Sequence, residues 1–169
     1  GGPDILTSLA SGAIDAAEWI CPVADLGLGM HQAAKFYYGP GWHEPSTLLD
    51  LSIDLKEWEG LDADTQALMM EMAKAFNVDV FSRFQALNGP ALGKLLNEHG
   101  VQLKTFPDEL LIALGNAAGE VMEERGSIDS QTKAICNHIL SFRKNIMDWS
   151  TKGESEFARI RNLPFKFPT

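Results

Sequence analysis

The sequence predicts an α/β fold that is rich in helices and has only a few short strands. Two long stretches carry apolar residues at every third or fourth position, which is the spacing of an amphipathic helix. Two short segments, 47–54 and 101–105, instead alternate apolar and polar residues, as strands do. The chain has 169 residues, 45% hydrophobic and 22% charged, which is the composition of one globular domain with a core.

The start of the chain predicts a helix, a turn and a strand. Residues 3–11 form the helix, and Gly12 suits the left-handed residue that ends it. The run "AIDAAEW" at 13–19 is predicted to be a short strand. Pro22 is suited to open a second short helix. The segment "KFYYGPGWHEPS" at 35–46 groups aromatic residues around Gly and Pro, which predicts a shaped loop.

The rest of the chain predicts long helices. One helix is expected from Asp64 to Leu87, with a break at "NGP" (88–90) and a new helix over 91–99. Pro107 is predicted to begin another helix, and a last one follows it. We expect the apolar stripes of these helices to be core, packed against other helices. The two main stripes are Leu68, Met72, Phe76, Val80, Phe84 and Leu87, and Ile135, Ile139, Phe142, Ile146 and Trp149.

Composition and motifs exclude several classes of function. The net charge of −9 and the pI near 4.8 argue against nucleic-acid binding, which needs clustered Lys and Arg. No apolar run approaches the roughly 20 residues of a membrane span. Cys21 and Cys136 fit no metal spacing, and two separate thiols are favoured over a disulfide. No zinc, nucleophile or phosphate-loop motif is present, so nothing in the sequence demands catalysis.

A cluster of aromatic and acidic residues in two loops is the main candidate site. Taken alone, such a cluster is more often the edge of a core, since Trp and Tyr are often half-buried. Carboxylates beside rigid aromatics at strand ends are, however, typical of a small-ligand cleft. Paired carboxylates with nearby backbone carbonyls also suit a hard cation such as Na⁺ or Ca²⁺. The cluster consists of Glu18, Trp19, Tyr37, Tyr38, Trp42, His43 and Glu44.

Two long motifs carry a family resemblance. "GGPDILTSLASGAIDAAEW" is followed by "AKFYYGPGWHEP", and the likeness continues through "LDLSIDLKEWEGLDADTQALMMEMA" to "FRKNIMDW". This pattern resembles the solute-binding receptors of tripartite ATP-independent periplasmic (TRAP) transporters, in the branch that binds α-keto acids and other monocarboxylates. The resemblance implies a two-lobed periplasmic-binding-protein fold of which this chain is the C-terminal half. Residues of about 1–54 would belong to the ligand-binding lobe and a return hinge strand, and residues of about 55–169 to a long connecting helix and C-terminal helices.

The resemblance also implies roles for individual residues. Glu18 would be a cation ligand, Trp19 would give a backbone carbonyl and an indole wall, and Glu44 would supply a second carboxylate. Trp42 is the fourth expected contact to the substrate. Because two carboxylates would repel an anionic substrate, Na⁺ or Ca²⁺ is expected to bridge them to it. The family's carboxylate-binding arginine precedes the "GG" motif and is absent here.

The resulting expectation is a periplasmic receptor rather than an enzyme. It would bind a small monocarboxylate, in the first place a 2-oxo acid, and deliver it to the TRAP membrane permease, and it would form a homodimer. Two alternatives stay open on the residues alone. One is a helical homo-oligomeric interaction module that pairs through the stripe at 135–149. The other is a small metal-dependent enzyme that uses Glu18, Glu44 and His43.

Overall fold

The computed structural model describes residues 2–42, 44 and 50–167. It divides into two compact units, Gly1–Phe106 and Pro107–Thr169. The first unit contains both loops of the predicted site. None of the helices in the described part of the chain is long and apolar enough to cross a membrane.

Short helices open the first unit, as the sequence predicts. A 3₁₀ turn at Gly2–Asp4 leads into helix α1, Ile5–Ser11, and helix α2 follows at Pro22–Leu28. Gly12 (φ 72°) ends α1 and Gly29 (φ 80°) ends α2, both in the left-handed conformation. Because this conformation is strained for residues with a side chain, glycine is the residue that closes both helices.

Neither of the two strands predicted in this region is formed by the described residues. The run 13–19 has irregular structure, and 50–54 is irregular up to helix α3, Leu55–Glu59, which Asp54 caps. Residues 47–49 lie outside the described residues. Because a strand exists only when a neighbouring strand pairs with its N–H and C=O groups, a segment without a partner stays irregular whatever its sequence pattern.

A small parallel sheet forms where the sequence predicted a loop. Strand β1, Phe36–Gly39, pairs in parallel with strand β2, Gln102–Thr105. The strand predicted at 101–105 is thus confirmed, whereas the loop prediction for 35–46 is wrong over β1. The breakers Gly39 and Pro40 come at the end of the aromatic run, so they end the strand and do not prevent it. Aromatic residues favour strands, and the partner is distant in sequence.

Helix α4, Ala63–Asn97, is continuous and contains Pro90, so the predicted break at 88–90 is wrong. A proline removes one helical hydrogen bond and crowds the preceding turn. Tertiary contacts on both sides of Pro90 hold the helix. The Val23 amide donates to Asn88 Oδ1 at 3.2 Å, and Ala91 and Leu95 are buried. The contact between α2 and α4 therefore stabilises this part of α4 more than Pro90 weakens it.

The second unit is helical. Helices α5, Asp108–Gly126, and α6, Ser130–Ser150, pack on each other, as predicted for the end of the chain. A π-helical turn at Thr151–Ser155 then leads into helix α7, Glu156–Arg161. Cys136 of α6 is buried beside Gly126, and both Cys21 and Cys136 are free thiols, which agrees with the prediction of two separate thiols.

The apolar stripes of α4 and α6 are mostly exposed, so the prediction that they are core is wrong in this chain. The exposed fractions are 61% for Met72 and 62% for Phe76 on α4, and 61% for Phe142 and 65% for Trp149 on α6. An amphipathic helix buries its apolar face only where another element covers it. Both helices thus present apolar surface to the outside of the described structure.

Candidate ligand-binding site

The first unit contains a cavity of about 890 Å³. One wall is the irregular segment 14–20, and another is the stretch from Met30 through β1 to Trp42. The end of α4 and Val101, just before β2, close it from a third side. A volume of this size is in the range of cavities that hold small molecules.

Three of the four predicted site residues line this cavity. Glu18, Trp19 and Trp42 are part of its wall. Glu44 is not among the lining residues, but its backbone oxygen would lie 3.6 Å from a Cβ placed on Gly41, which does line the cavity. His43 lies outside the described residues. The structure thus brings Glu18 and Trp19 together with Trp42, and leaves the roles of all four residues as predictions.

Trp19 is seated against the start of the chain. A Cβ placed on Gly2 would lie 2.8 Å from Cη2 of the Trp19 indole, closer than atoms approach without repulsion. The absence of a side chain at Gly2 therefore makes room for the ring. This contact gives a physical role to the second glycine of the "GG" motif.

Asp25 of α2 lies at the cavity and is buried, with 7% of its surface exposed. The hydroxyl of Tyr37 on β1 donates to Oδ2, and the amide of Ile20 donates to Oδ1 at 3.4 Å. Burial raises the pKa of Asp25, although the hydrogen bonds from Tyr37, Ile20 and Cys21 oppose this shift. Burial, followed by the hydrogen bond to Asp25, raises the pKa of Tyr37, so this hydroxyl keeps its proton.

Sequence reasoning missed Asp25. An acidic residue in the first turn of a helix is common because it complements the helix dipole, so Asp25 resembled an ordinary capping acid. The sequence marks Tyr37 only as one of the aromatic residues in the predicted site cluster. Nothing in the sequence pairs the two residues, because their contact depends on the position of β1 beside α2.

Two histidines that the sequence leaves scattered meet at the cavity. The rings of His31 and His99 stack with their centroids 3.9 Å apart. Nδ1 of His31 is buried and has no hydrogen-bond partner among the described residues. Desolvation, together with repulsion from His99, lowers the pKa of His31. This ring is therefore neutral at neutral pH.

The donor types at the cavity suit a hard cation. Glu18 offers carboxylate oxygens and the adjacent backbone offers carbonyl oxygens, which are the ligands that Na⁺ and Ca²⁺ prefer. Within residues 2–42, 44 and 50–167, no three or more His, Cys, Asp or Glu side chains converge to hold a metal ion. The predicted ligands, Glu18, Glu44 and the backbone carbonyl of Trp19, include only two such side chains. Their assignment stays a prediction.

A cavity walled by aromatic rings, with a carboxylate at its edge, is typical of sites that bind small ligands. The chain belongs to family 7 of the bacterial extracellular solute-binding proteins (DctP), whose model matches residues 3–127. The family consists of binding proteins and not of enzymes. This membership confirms the resemblance seen in the motifs, and it supports neither the interaction module nor the metal-dependent enzyme.

One curated relative and three solved structures cover nearly all of the chain. The relative, the monocarboxylate 2-oxoacid-binding periplasmic protein of Nostoc sp. (strain PCC 7120), is 35% identical over 159 residues, which are 94% of this chain and 43% of the relative. The TRAP periplasmic solute-binding protein of Colwellia psychrerythraea, with bound calcium and pyruvate, is 30% identical with a TM-score of 0.84, over 94% of this chain and 48% of that one.

The other two structures have the same TM-score and nearly the same identity. The protein from Pseudoalteromonas atlantica T6c, with bound sodium and pyruvate, is 29% identical with a TM-score of 0.84, over 96% of this chain and 48% of its own. The protein from Bordetella bronchiseptica RB50, a mixed-occupancy dimer with calcium and picolinate, has the same identity and TM-score, over 95% of this chain and 47% of its own.

The likeness to these structures confirms the predicted fold class. The chain spans about half the length of these relatives.

The contact between Tyr37 and Asp25 can be tested by removing one hydroxyl. Tyr37→Phe leaves Oδ2 of the buried Asp25 carboxylate without its donor, so the free energy of unfolding should fall by about 1 to 3 kcal/mol. The measurement is urea unfolding followed by circular dichroism.

Tyr38→Phe is the matched control for this variant. Tyr38 is half-exposed and stacks on Phe106 with ring centroids 4.9 Å apart, a contact that phenylalanine retains. Its effect should stay within about 0.5 kcal/mol, as for most surface changes. Equal effects of the two substitutions would contradict the role given to the Tyr37 hydroxyl.

Proposed function

We propose that this chain is the C-terminal half of a two-lobed TRAP receptor that binds a small monocarboxylate, in the first place a 2-oxo acid. The receptor delivers this acid to the membrane permease of its transporter. The observation that carries the proposal is that Glu18, Trp19 and Trp42 share one cavity in a member of this family. The name of the Nostoc relative and the pyruvate bound in two of the structures support the class of ligand.

A cation links the receptor to the acid. Glu18 and Glu44 each contribute a carboxylate and Trp19 a backbone carbonyl, and the ion that they hold, Ca²⁺ or Na⁺, supplies the positive charge that an anionic ligand needs. Without such an ion, the carboxylates and the acid would repel one another. The calcium or sodium bound beside pyruvate in two of the relatives supports this arrangement.

The two tryptophans form the walls of the site. Trp19 is half-buried, and its indole packs on Gly2. Trp42 lines the cavity after β1. Flat aromatic walls exclude water from the acid, and this exclusion strengthens its electrostatic contacts. The other lobe contributes the arginine that the family resemblance implies.

The parts of the chain have separate roles in this receptor. Residues of about 1–54 belong to the ligand-binding lobe and its return hinge strand, and residues of about 55–169 form the connecting helix and the C-terminal helices. The receptor works in the periplasm, where the Nostoc relative is placed by its name. It functions as a homodimer, which is supported by the exposed stripes of α4 and α6 and by the dimer in the Bordetella structure.

The first prediction from this proposal concerns Trp19. In the two-lobed receptor, Trp19→Ala removes an apolar wall, and an aromatic contact is worth about 1 kcal/mol beyond its buried area. The affinity for pyruvate should fall about tenfold or more, as measured by isothermal titration calorimetry.

Trp58→Ala is the control, since Trp58 of α3 does not line this cavity. Its affinity for pyruvate should match that of the unchanged receptor. If Trp19→Ala also binds with unchanged affinity, Trp19 is not part of the site.

The second prediction tests the cation. Glu18→Gln and Glu44→Gln each remove one negative ligand, so the affinity for Ca²⁺ and Na⁺ should fall, and acid binding should need more added cation. The affinities for ion and acid are linked, so each should strengthen the other by the same factor. The measurement is pyruvate affinity in chelated buffer that is titrated with Na⁺ and then with Ca²⁺.

Glu57→Gln on the exposed surface of α3 is the matched control and should behave as the unchanged receptor does. The result that would overturn the bridge is pyruvate binding that ignores both ions in every variant. The two glutamates would then be scaffold residues.

The third prediction concerns the homodimer. Phe142→Glu places a charge on the exposed stripe of α6, so it should shift the receptor from dimer to monomer in light scattering, because a buried unpaired charge is costly. Asn137→Glu adds the same charge on another face of α6 and should leave the dimer intact. A receptor that is monomeric without any substitution would refute the homodimer.

A further inference from the structure

We propose that Asp25 is a positioning residue that fixes the direction of the Trp19 carbonyl at the cation. This inference rests on the proposed function, because it assigns a partner to one of the proposed ligands. It goes beyond that function in giving a role to a residue of α2 that does not itself need to touch the ion or the acid.

The geometry follows from the planar peptide bond between Trp19 and Ile20. The Ile20 amide donates to Asp25 Oδ1 at 3.4 Å. In a trans peptide, the N–H and the C=O of the same unit point in opposite directions. A hydrogen bond that holds the Ile20 N–H toward Asp25 therefore holds the Trp19 carbonyl away from Asp25.

The segment that contains this peptide needs a contact that fixes the direction of its backbone. Residues 13–20 are irregular, and no strand ladder holds them among the described residues. Asp25 belongs to α2, so its hydrogen bond from the Ile20 amide links the segment to that helix. The hydrogen bond from the Tyr37 hydroxyl links Asp25 in turn to β1. A cation selects ligands whose directions are already set, and the residues that orient them contribute strongly to its affinity.

Asp25 is better suited to orient a ligand than to be one. It is buried, with 7% of its surface exposed, and each carboxylate oxygen already accepts a hydrogen bond from the protein. A direct ligand would have to exchange at least part of this hydrogen bonding for the ion. The two roles predict different behaviour of Asp25→Asn, which loses the charge but keeps an oxygen that can accept from Ile20.

The test compares Asp25→Ala with Asp25→Asn in the two-lobed receptor. Asp25→Ala should weaken Ca²⁺ binding by about tenfold or more, a range typical of residues that orient metal ligands. Asp25→Asn should restore most of the lost affinity, and pyruvate affinity at saturating Ca²⁺ should change little in either variant. The measurements are Ca²⁺ titration and pyruvate titration by calorimetry, with Asp64→Ala on the exposed surface of α4 as control.

The outcomes separate this inference from the proposed function. If the unchanged receptor binds neither Ca²⁺ nor Na⁺, the proposed cation bridge fails. If it binds the ion and Asp25→Ala binds equally well, the bridge stands and the positioning role is wrong. Equal losses of Ca²⁺ affinity in Asp25→Asn and Asp25→Ala would indicate that Asp25 binds the ion directly through its charge. That result would also overturn the inference. Should Asp25→Ala not fold, Asp25→Leu removes the same acceptor with a side chain of nearly the same shape.

Discussion

The buried carboxylate of Asp25 is the contact that links separate parts of the cavity wall. It joins α2, which carries it, to β1 through Tyr37 and to the irregular segment through the Ile20 amide. These are three parts of the cavity wall. A buried carboxylate is stable only when donors surround it, so the positions of the three parts are coupled. The Ile20 amide that donates to this carboxylate belongs to the peptide bond between Trp19 and Ile20. The contact therefore connects the local fold to the proposed ligand site.

The starts and ends of helices could be predicted from the sequence because their causes are local. Gly12 and Pro22 determine the end of α1 and the start of α2 without any distant contact. Strands could not be predicted in the same way, because each needs a partner. The run 13–19 was predicted to be a strand, but it pairs with no strand among the described residues. The residues of β1 were predicted to form a loop, but they pair with β2, which lies far along the chain. The helix at Pro90 also depends on contacts distant in sequence, because the packing of α2 on α4 stabilises it more than the proline weakens it.

The residues of the candidate site also differ in whether the sequence alone could predict them. Glu18, Trp19 and Trp42 were found because their types and motifs are visible in the sequence, and the fold brings them to one cavity. Asp25, together with the stacked His31 and His99, was not found, because their significance lies in burial and in contacts across the unit. The exposed stripes of α4 and α6 are the converse case. Their periodicity correctly predicts helices, but burial depends on surfaces that the described residues do not provide.

In the proposed cation bridge, one ion contacts Glu18, the Trp19 carbonyl and the bound acid. The most direct test is a crystal structure of the two-lobed receptor with Ca²⁺ and pyruvate, with the ion located by anomalous scattering. We expect Ca²⁺ at about 2.3 to 2.6 Å from a Glu18 carboxylate oxygen and from the Trp19 carbonyl oxygen, and in contact with pyruvate. Pyruvate bound in this cavity without an ion, or with the ion bound away from both residues, would contradict it.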